Sequence, residues 1–458
     1  MNYIAALGGH RPRPVKRSFA YCALGCGDGL SLALLAASNP HARFVGVDED
    51  ASSIAATREL AARCALTNVA LIEAGVGQTS RKELPPFDFI AARGQWSWAK
   101  DKARADMVSF LERRLKPGGL FTLGYHALPG CADALPAREM MVTYANHKGG
   151  DADERLRNGL AYVRFMTESR AGLFERRPDA LRHLEDLLAS DPQRAARDYL
   201  TADWRPEYFS SVSRSLAEAG LGFAGAWPPA LNYMDLGVPS RFQEFFLTAP
   251  DRDTFEAHVD FVRDTRYRID YYVRSRAARV PDPWAKGLFD AVVFTPMALP
   301  QERAAVTRVG DVDLALQESL AGALQTAMAN GPTTLLELSA TAGLAGFAPA
   351  EVARGLQYLV LAQGLAPGVR KPAAALRGGI SAANHALLER AAAAGEERSG
   401  ARVDGARGRP RVSHRRRARL RGSARAKQRA HPRAVHCHDG PAGTLSRRHP
   451  RAEGTPRA

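Results

Sequence analysis

The residue types best suited to chemistry crowd into the first 130 positions. Between Tyr21 and Ser31 the chain reads YCALGCGDGLS, with glycines alternating at 25, 27 and 29 behind a short apolar run. Glycines so spaced let the backbone approach a ligand without a Cβ in the way and let the chain turn through positive φ. Asp48 closes a second apolar run about 20 residues downstream, where a carboxylate can accept two hydrogen bonds from a ribose diol. The spacing is GxGxG. The dinucleotide pattern GxGxxG places its third glycine so that a helix closes over a pyrophosphate, so a nucleoside ligand without pyrophosphate suits this loop better. Other unusual residues recur at the ends of apolar runs: Glu73 with Ala74, the segment Arg93-Gly94-Gln95-Trp96-Ser97-Trp98, and Tyr125-His126. Tryptophan and tyrosine rings can face a cation, and an imidazole can take a proton near neutral pH.

These residues need a scaffold that brings run ends together. Apolar runs at 19–24, 43–48, 68–74, 87–92 and 120–126 read as buried strands. Between them lie helical stretches, one with Asp50 or Ser52 as its cap and one ending at Pro117-Gly118-Gly119. Strands separated by single helices imply right-handed crossovers and a doubly wound parallel sheet, an α/β, Rossmann-like fold. Its ligands bind beyond the carboxyl ends of the strands, where the residues named above collect.

The motifs LGCGDG, FVGVD, FDFIAARGQWSW and LKPGGLFTLGYHALPG resemble class I S-adenosylmethionine-dependent methyltransferases. More narrowly, they resemble the branch that carries a methyltransferase regulatory domain and includes bacterial protein-lysine methyltransferases. That branch reads HGVYSW after its fourth strand and SYNxLPG after its fifth; here these become RGQWSW and GYHALPG. The resemblance implies S-adenosyl-L-methionine as cofactor. Gly25, Cys26, Gly27 and Gly29 would wrap its methionine moiety, Asp48 would hold the ribose, Glu73 and Ala74 would lie along the adenine, and Gly94 would line the same site. Arg93, Trp96 and Trp98 would line the acceptor's path, with Tyr125 and His126 as candidate catalytic residues. No NPPY or DPPY segment is present, which argues against adenine N6 or glutamine amide methylation; a protein lysine amine is the acceptor the resemblance favours. The sequence departs from the branch at Ala23, where the family carries an acid that helps to place the cofactor's amino-acid end, at Arg93 in place of a histidine, and at His126 in place of an asparagine.

Beyond the fifth strand, residues 137 to about 210 read as amphipathic helices inserted before the sheet is completed. The run 212–227 reads as a helix feeding a strand, and RYRIDYYVRS (266–275) alternates as an edge strand would. RDYLTADWRPEYF extends the resemblance to the regulatory branch, whose helices can dimerise or cover the site, with Asp198, Tyr199 and Trp204 as lid candidates. Four regions result: a cofactor-binding domain over 1–135, a helical and regulatory-domain-like region over 136–300, a small, mainly α, winged-helix-like domain over 301–395, and an Arg-rich tail over 396–458. The would-be recognition helix of the small domain, APAEVARGLQYLVLA, carries Arg354 as its single basic residue and is otherwise largely apolar, which fits packing against protein better than DNA reading. A homodimer is one use of such a surface.

The formal charge of +15 is confined to the tail. From Arg398 onward there are 18 basic and three acidic residues, whereas residues 1–397 hold 45 of each. The body has no global electrostatic attraction to nucleic acid. The tail lacks apolar periodicity and reads as disordered; its Arg, Ala, Gly and Pro bias is also what GC-rich DNA yields out of frame. His436, Cys437 and His438 have no second ligand cluster, so no metal is expected. Five unpaired-looking cysteines and the lack of a signal-like or membrane-spanning run point to a cytoplasmic protein that stays off the membrane. Two other readings stay open: a non-catalytic cofactor-binding regulator, and a nucleic-acid binder acting through the tail.

Ala23 generates a first prediction. A charge-assisted hydrogen bond is worth about 1.5–3 kcal/mol, or about 10- to 150-fold in affinity. Ala23→Asp should therefore tighten cofactor binding in a calorimetric titration, by up to that factor where no other group supplies the contact; unchanged or weaker binding would show the position misassigned.

Overall fold

Strands form where apolar residues run without interruption, and helices form where they recur every third or fourth position. The computed structural model describes residues 1–368 apart from short stretches, the longest being 189–198 and 297–305. Asp198, most of the region beyond 363 and the whole Arg-rich tail lie outside the described residues.

The first strands and helices alternate as expected: β1 (Ala20–Leu24), α1 (Leu30–Ser38), β2 (Arg43–Asp48), α2 (Ala51–Arg63), β3 (Val69–Glu73) and β4 (Phe87–Arg93). They are followed by α3 (Asp101–Arg114) and β5 (Leu115–His126). Asp50 caps α2 by accepting the Ser52 and Ser53 amides. Helix α3 stops earlier than the Pro117-Gly118-Gly119 signal implied. Leu115 already pairs with Phe87, and a register shift between Phe87 and Phe89 absorbs the extra residues before Leu120. Pro117 has no amide to continue a helix, so the extended course is the cheaper one.

Helices over 134–148, 152–168, 172–176 and 180–188 form the insertion before the sheet resumes. The chain then runs through α4 (Phe209–Ala217), β6 (Gly222–Trp227), α5 (Arg252–Arg263) and β7 (Tyr267–Val273). The sheet order is β3-β2-β1-β4-β5-β7-β6, with β1 to β5 parallel and β7 antiparallel to both of its neighbours. One face packs Leu24, Val47, Ile90 and Phe121 against α3 and α4. The other packs Phe44, Phe89 and Leu120 against α1.

The position of β7 corrects the edge-strand expectation: it lies between β5 and β6. Its alternating polar residues face a buried ion cluster instead of solvent. Arg268 reaches Glu256 at 2.8 Å, Asp260 at 2.7 Å and Asp270 at 2.9 Å, all four side chains being buried. The Tyr125 hydroxyl donates to Asp270 at 2.9 Å. Burial pushes the Asp270 carboxyl up to about 6 despite Arg268. Burial also opposes the Arg268 charge, but Asp270, Tyr125, Glu256 and Asp260 hold the guanidinium protonated.

Farther along, a short helix at 318–327, one at 335–339 and a longer one at 349–361 pack with a three-stranded sheet of 293–296, 333–334 and 365–368. The 349–361 helix turns Val352, Leu356, Leu359 and Val360 inward. The N-terminal helix (Asn2–Leu7) joins this core, Tyr3 meeting Phe289 and Phe294 edge-on. Among the described residues no helix is long and apolar enough to cross a membrane.

Removing one partner of a buried ion cluster leaves uncompensated charge and costs about 3–5 kcal/mol. Arg268→Met should lower unfolding free energy by that amount in urea titrations. A loss under about 1 kcal/mol would mean that the three carboxylates are satisfied without it.

Candidate functional site

The glycine loop emerges from β1 and is tied to the neighbouring strand by two backbone bonds, the Gly25 and Cys26 amides donating to the Val47 carbonyl at 2.8 and 3.1 Å. Gly25, Gly27 and Gly29 all have positive φ, at 70°, 54° and 71°. Two of the three need glycine for space as well. A Cβ on Gly29 would lie 2.5 Å from Thr57 Oγ1, and one on Gly25 would lie 2.5 Å from Gln95 Cγ and Cδ, whereas the space above Gly27 is open to 4 Å. Thr57 donates to the Gly27 carbonyl at 2.9 Å, pinning the loop to α2. Burial pushes the Cys26 thiol up to about 11.

Asp48 ends β2 beside this loop. Its Oδ2 accepts the Gly27 amide at 2.9 Å and its Oδ1 accepts the Asp50 amide at 3.1 Å. A carboxylate has about four lone-pair sites, so two remain, and the side chain is only half-buried. Ala74 donates its amide to the Asp48 carbonyl at 2.9 Å, placing exposed Glu73 next to it on β3. A loop open at Gly27 beside an acceptor-only group fits a ligand that brings a diol and a backbone-hugging chain. An S-adenosyl group meets both requirements.

The strand ends opposite hold the aromatic residues. Arg93 is exposed, and Gly94 turns the chain at φ 79° into the short helix Trp96–Trp98. His126 is buried and central to a ring cluster, with Trp98 at 5.1 Å, Tyr267 at 5.2 Å, Trp204 at 5.5 Å and Tyr199 at 5.8 Å between centroids. The Tyr199 hydroxyl bonds His126 Nε2 at 2.8 Å. Tyr267 is 44% exposed, and its hydroxyl covers Gly124, 2.5 Å from where a Cβ would stand.

The structure separates some residues grouped together by sequence. Tyr125 is fully buried on the opposite face from His126 and belongs to the Arg268 cluster; burial raises its phenol well above the ordinary value. Trp96 is also buried, its indole donating to Glu207 at 2.6 Å, with Arg104 bonded both to Glu207 and to the Trp96 carbonyl. Tyr199 and Trp204 are buried against His126, joining the regulatory-like segment to the sheet. Tyr267 and Glu207 were not singled out from sequence. The first lay inside a strand pattern, and the second shows its role only when Glu207 exchanges backbone bonds with His126 and Leu128. Among the described residues no group of three or more His, Cys, Asp or Glu could hold a metal.

Residues 23–121 match the family model of a methyltransferase domain, and residues 192–274 match that of a predicted methyltransferase regulatory domain. An uncharacterized protein of Synechocystis sp. is 32% identical over 330 residues, covering 71% of this chain and 64% of that one. An uncharacterized protein of Rickettsia prowazekii is 24% identical over 166 residues, covering 36% of this chain and 65% of that one. The chain thus spans slightly under two thirds of the length of these relatives. The structure of PKMT2 from Rickettsia typhi in complex with AdoHcy superposes with a TM-score of 0.62 at 16% identity, covering 81% of this chain and 75% of that one. Residues 23–121 are thus similar to a methyltransferase domain and residues 192–274 to a predicted methyltransferase regulatory domain, and the fold is Rossmann-like.

The loop geometry predicts different costs for neighbouring glycines. Gly29→Ala meets both strained φ and Thr57, and should cost about 1–3 kcal/mol in urea unfolding. Gly27→Ala meets only the strain, about 1–2 kcal/mol, and should be the milder of the two for stability. Equal costs would show that Thr57 yields.

Proposed function

We propose that the chain is an S-adenosyl-L-methionine-dependent methyltransferase whose acceptor is an amine, with a protein lysine as the substrate class. One juxtaposition carries the reading: the glycine loop with Asp48 shares the carboxyl ends of one sheet with the Trp98–His126–Tyr267 ring cluster. The cofactor would supply an electrophilic methyl on a sulfonium. Gly25, Gly27 and Gly29 would bind it along the loop, Asp48 would accept from its ribose, and Glu73 and Ala74 would flank its base.

The ring cluster supplies what an amine needs. An ammonium has no lone pair with which to attack, so the site must attract the cation and also accept its proton. Tyr267 and Trp98 offer rings to a cation, and the hydrogen-bonded pair His126–Tyr199 can hold or pass a proton. Trp96, Arg104 and Glu207 keep this wall in place by joining the strand-end segment to the regulatory region. The likeness to PKMT2 of Rickettsia typhi, in complex with AdoHcy, supports the same choice of cofactor and acceptor.

Labelled-methyl transfer into a cell lysate, with amino-acid analysis of the labelled protein, tests the proposal; the expected product is methyl-lysine. Asp48→Ala should abolish both AdoHcy binding and transfer. Tyr267→Ala should lower kcat/KM about 2- to 30-fold, the worth of a cation–π contact, while leaving AdoHcy affinity unchanged. AdoHcy binding without any transfer would favour a non-catalytic regulator, and label on a nucleic acid or small molecule would overturn the acceptor.

A further inference from the structure

On the reading that the glycine loop holds an S-adenosyl group, we infer that the Gln95 carboxamide grips the amino-acid end of that group, in place of the acid that the resemblance puts at position 23. At the mouth of β1, Ala23 pairs with Gly46 of β2 and Ala91 of β4. Three adjacent strands thus bring no polar side-chain atom to this point. The chain leaving β4 turns at Gly94, with φ 79°, and carries Gln95 back across the loop. There it occupies the place a side chain on Gly25 would fill, Cγ and Cδ each lying 2.5 Å from the position of a Cβ. Gly27, two residues on, is open and is bonded to Asp48. The loop therefore has a carboxylate at its middle and a carboxamide over its first glycine.

A carboxamide suits an amino-acid end. Its oxygen accepts from an ammonium and its nitrogen donates to a carboxylate, and a bond to a charged group is about twice as strong as one between neutral groups. The role needs a side chain long enough to cross from β4 to the β1 loop, which glutamine provides and the valine of the branch motif HGVYSW does not.

Two ligands separate this role from general support of the loop: AdoHcy, which has the amino-acid end, and 5′-methylthioadenosine, which lacks it. In calorimetric titrations Gln95→Val should weaken AdoHcy about tenfold or more, equivalent to about 1.4 kcal/mol, and leave 5′-methylthioadenosine within twofold. Adding Ala23→Asp to Gln95→Val should restore most of the lost AdoHcy affinity, and should do more there than in the unsubstituted chain. AdoHcy binding that Gln95→Val leaves within twofold, or an equal loss for both ligands, would overturn the inference alone. Failure of the unsubstituted chain to bind AdoHcy would overturn the cofactor reading and the inference with it.

Discussion

A single buried guanidinium ties α5 to β7 and, through Asp270, to Tyr125 of β5. Arg268 projects from β7 into the buried interior, where it is matched by Glu256 and Asp260 from one helix and Asp270 from its own strand. Such a cluster gains little over a well-packed apolar core, but it is costly to break. Here it bridges two paired strands, since Asp270 of β7 also accepts from Tyr125 of β5. With β7 beside β5, Tyr267 stands opposite His126, and the ring cluster at the strand ends follows.

A second constraint works across the sheet. Glu207 accepts from the Trp96 indole and the Arg104 guanidinium while its own backbone pairs with His126 and Leu128. The regulatory segment is thereby stitched to the strand ends that carry the candidate acceptor site. The cofactor half depends instead on local geometry, with positive-φ glycines held by Val47, Asp48 and Thr57.

The cofactor half was legible because its signals are local. Glycine at three alternating positions, an acid at a strand end and regular βαβ spacing all act within about 50 residues, and backbone sterics alone make them informative. The acceptor half was less so. Tyr125 and His126 are neighbours in sequence, yet strand alternation sends them to opposite faces, one into an ion cluster and the other into a ring cluster. Pairing GYH with a family motif could not separate them. RYRIDYYVRS looked like an edge strand because its polar positions alternate, and nothing local reveals that carboxylates on a helix ten residues away bury that face.

The sequence by itself determined the parallel sheet, the glycine loop with its bare first strand end at Ala23, and the placement of surplus charge in the tail beyond Arg398. These follow from composition, periodicity and backbone freedom, which need no distant partner. Only the tertiary structure decided that Tyr267, Tyr199 and Trp204 surround His126, that Tyr125 serves the ion cluster, and that Gln95 lies across Gly25. Those contacts join residues up to 145 positions apart or depend on which face a side chain takes. Both are set by how the strands pair and by where the buried charges find their partners.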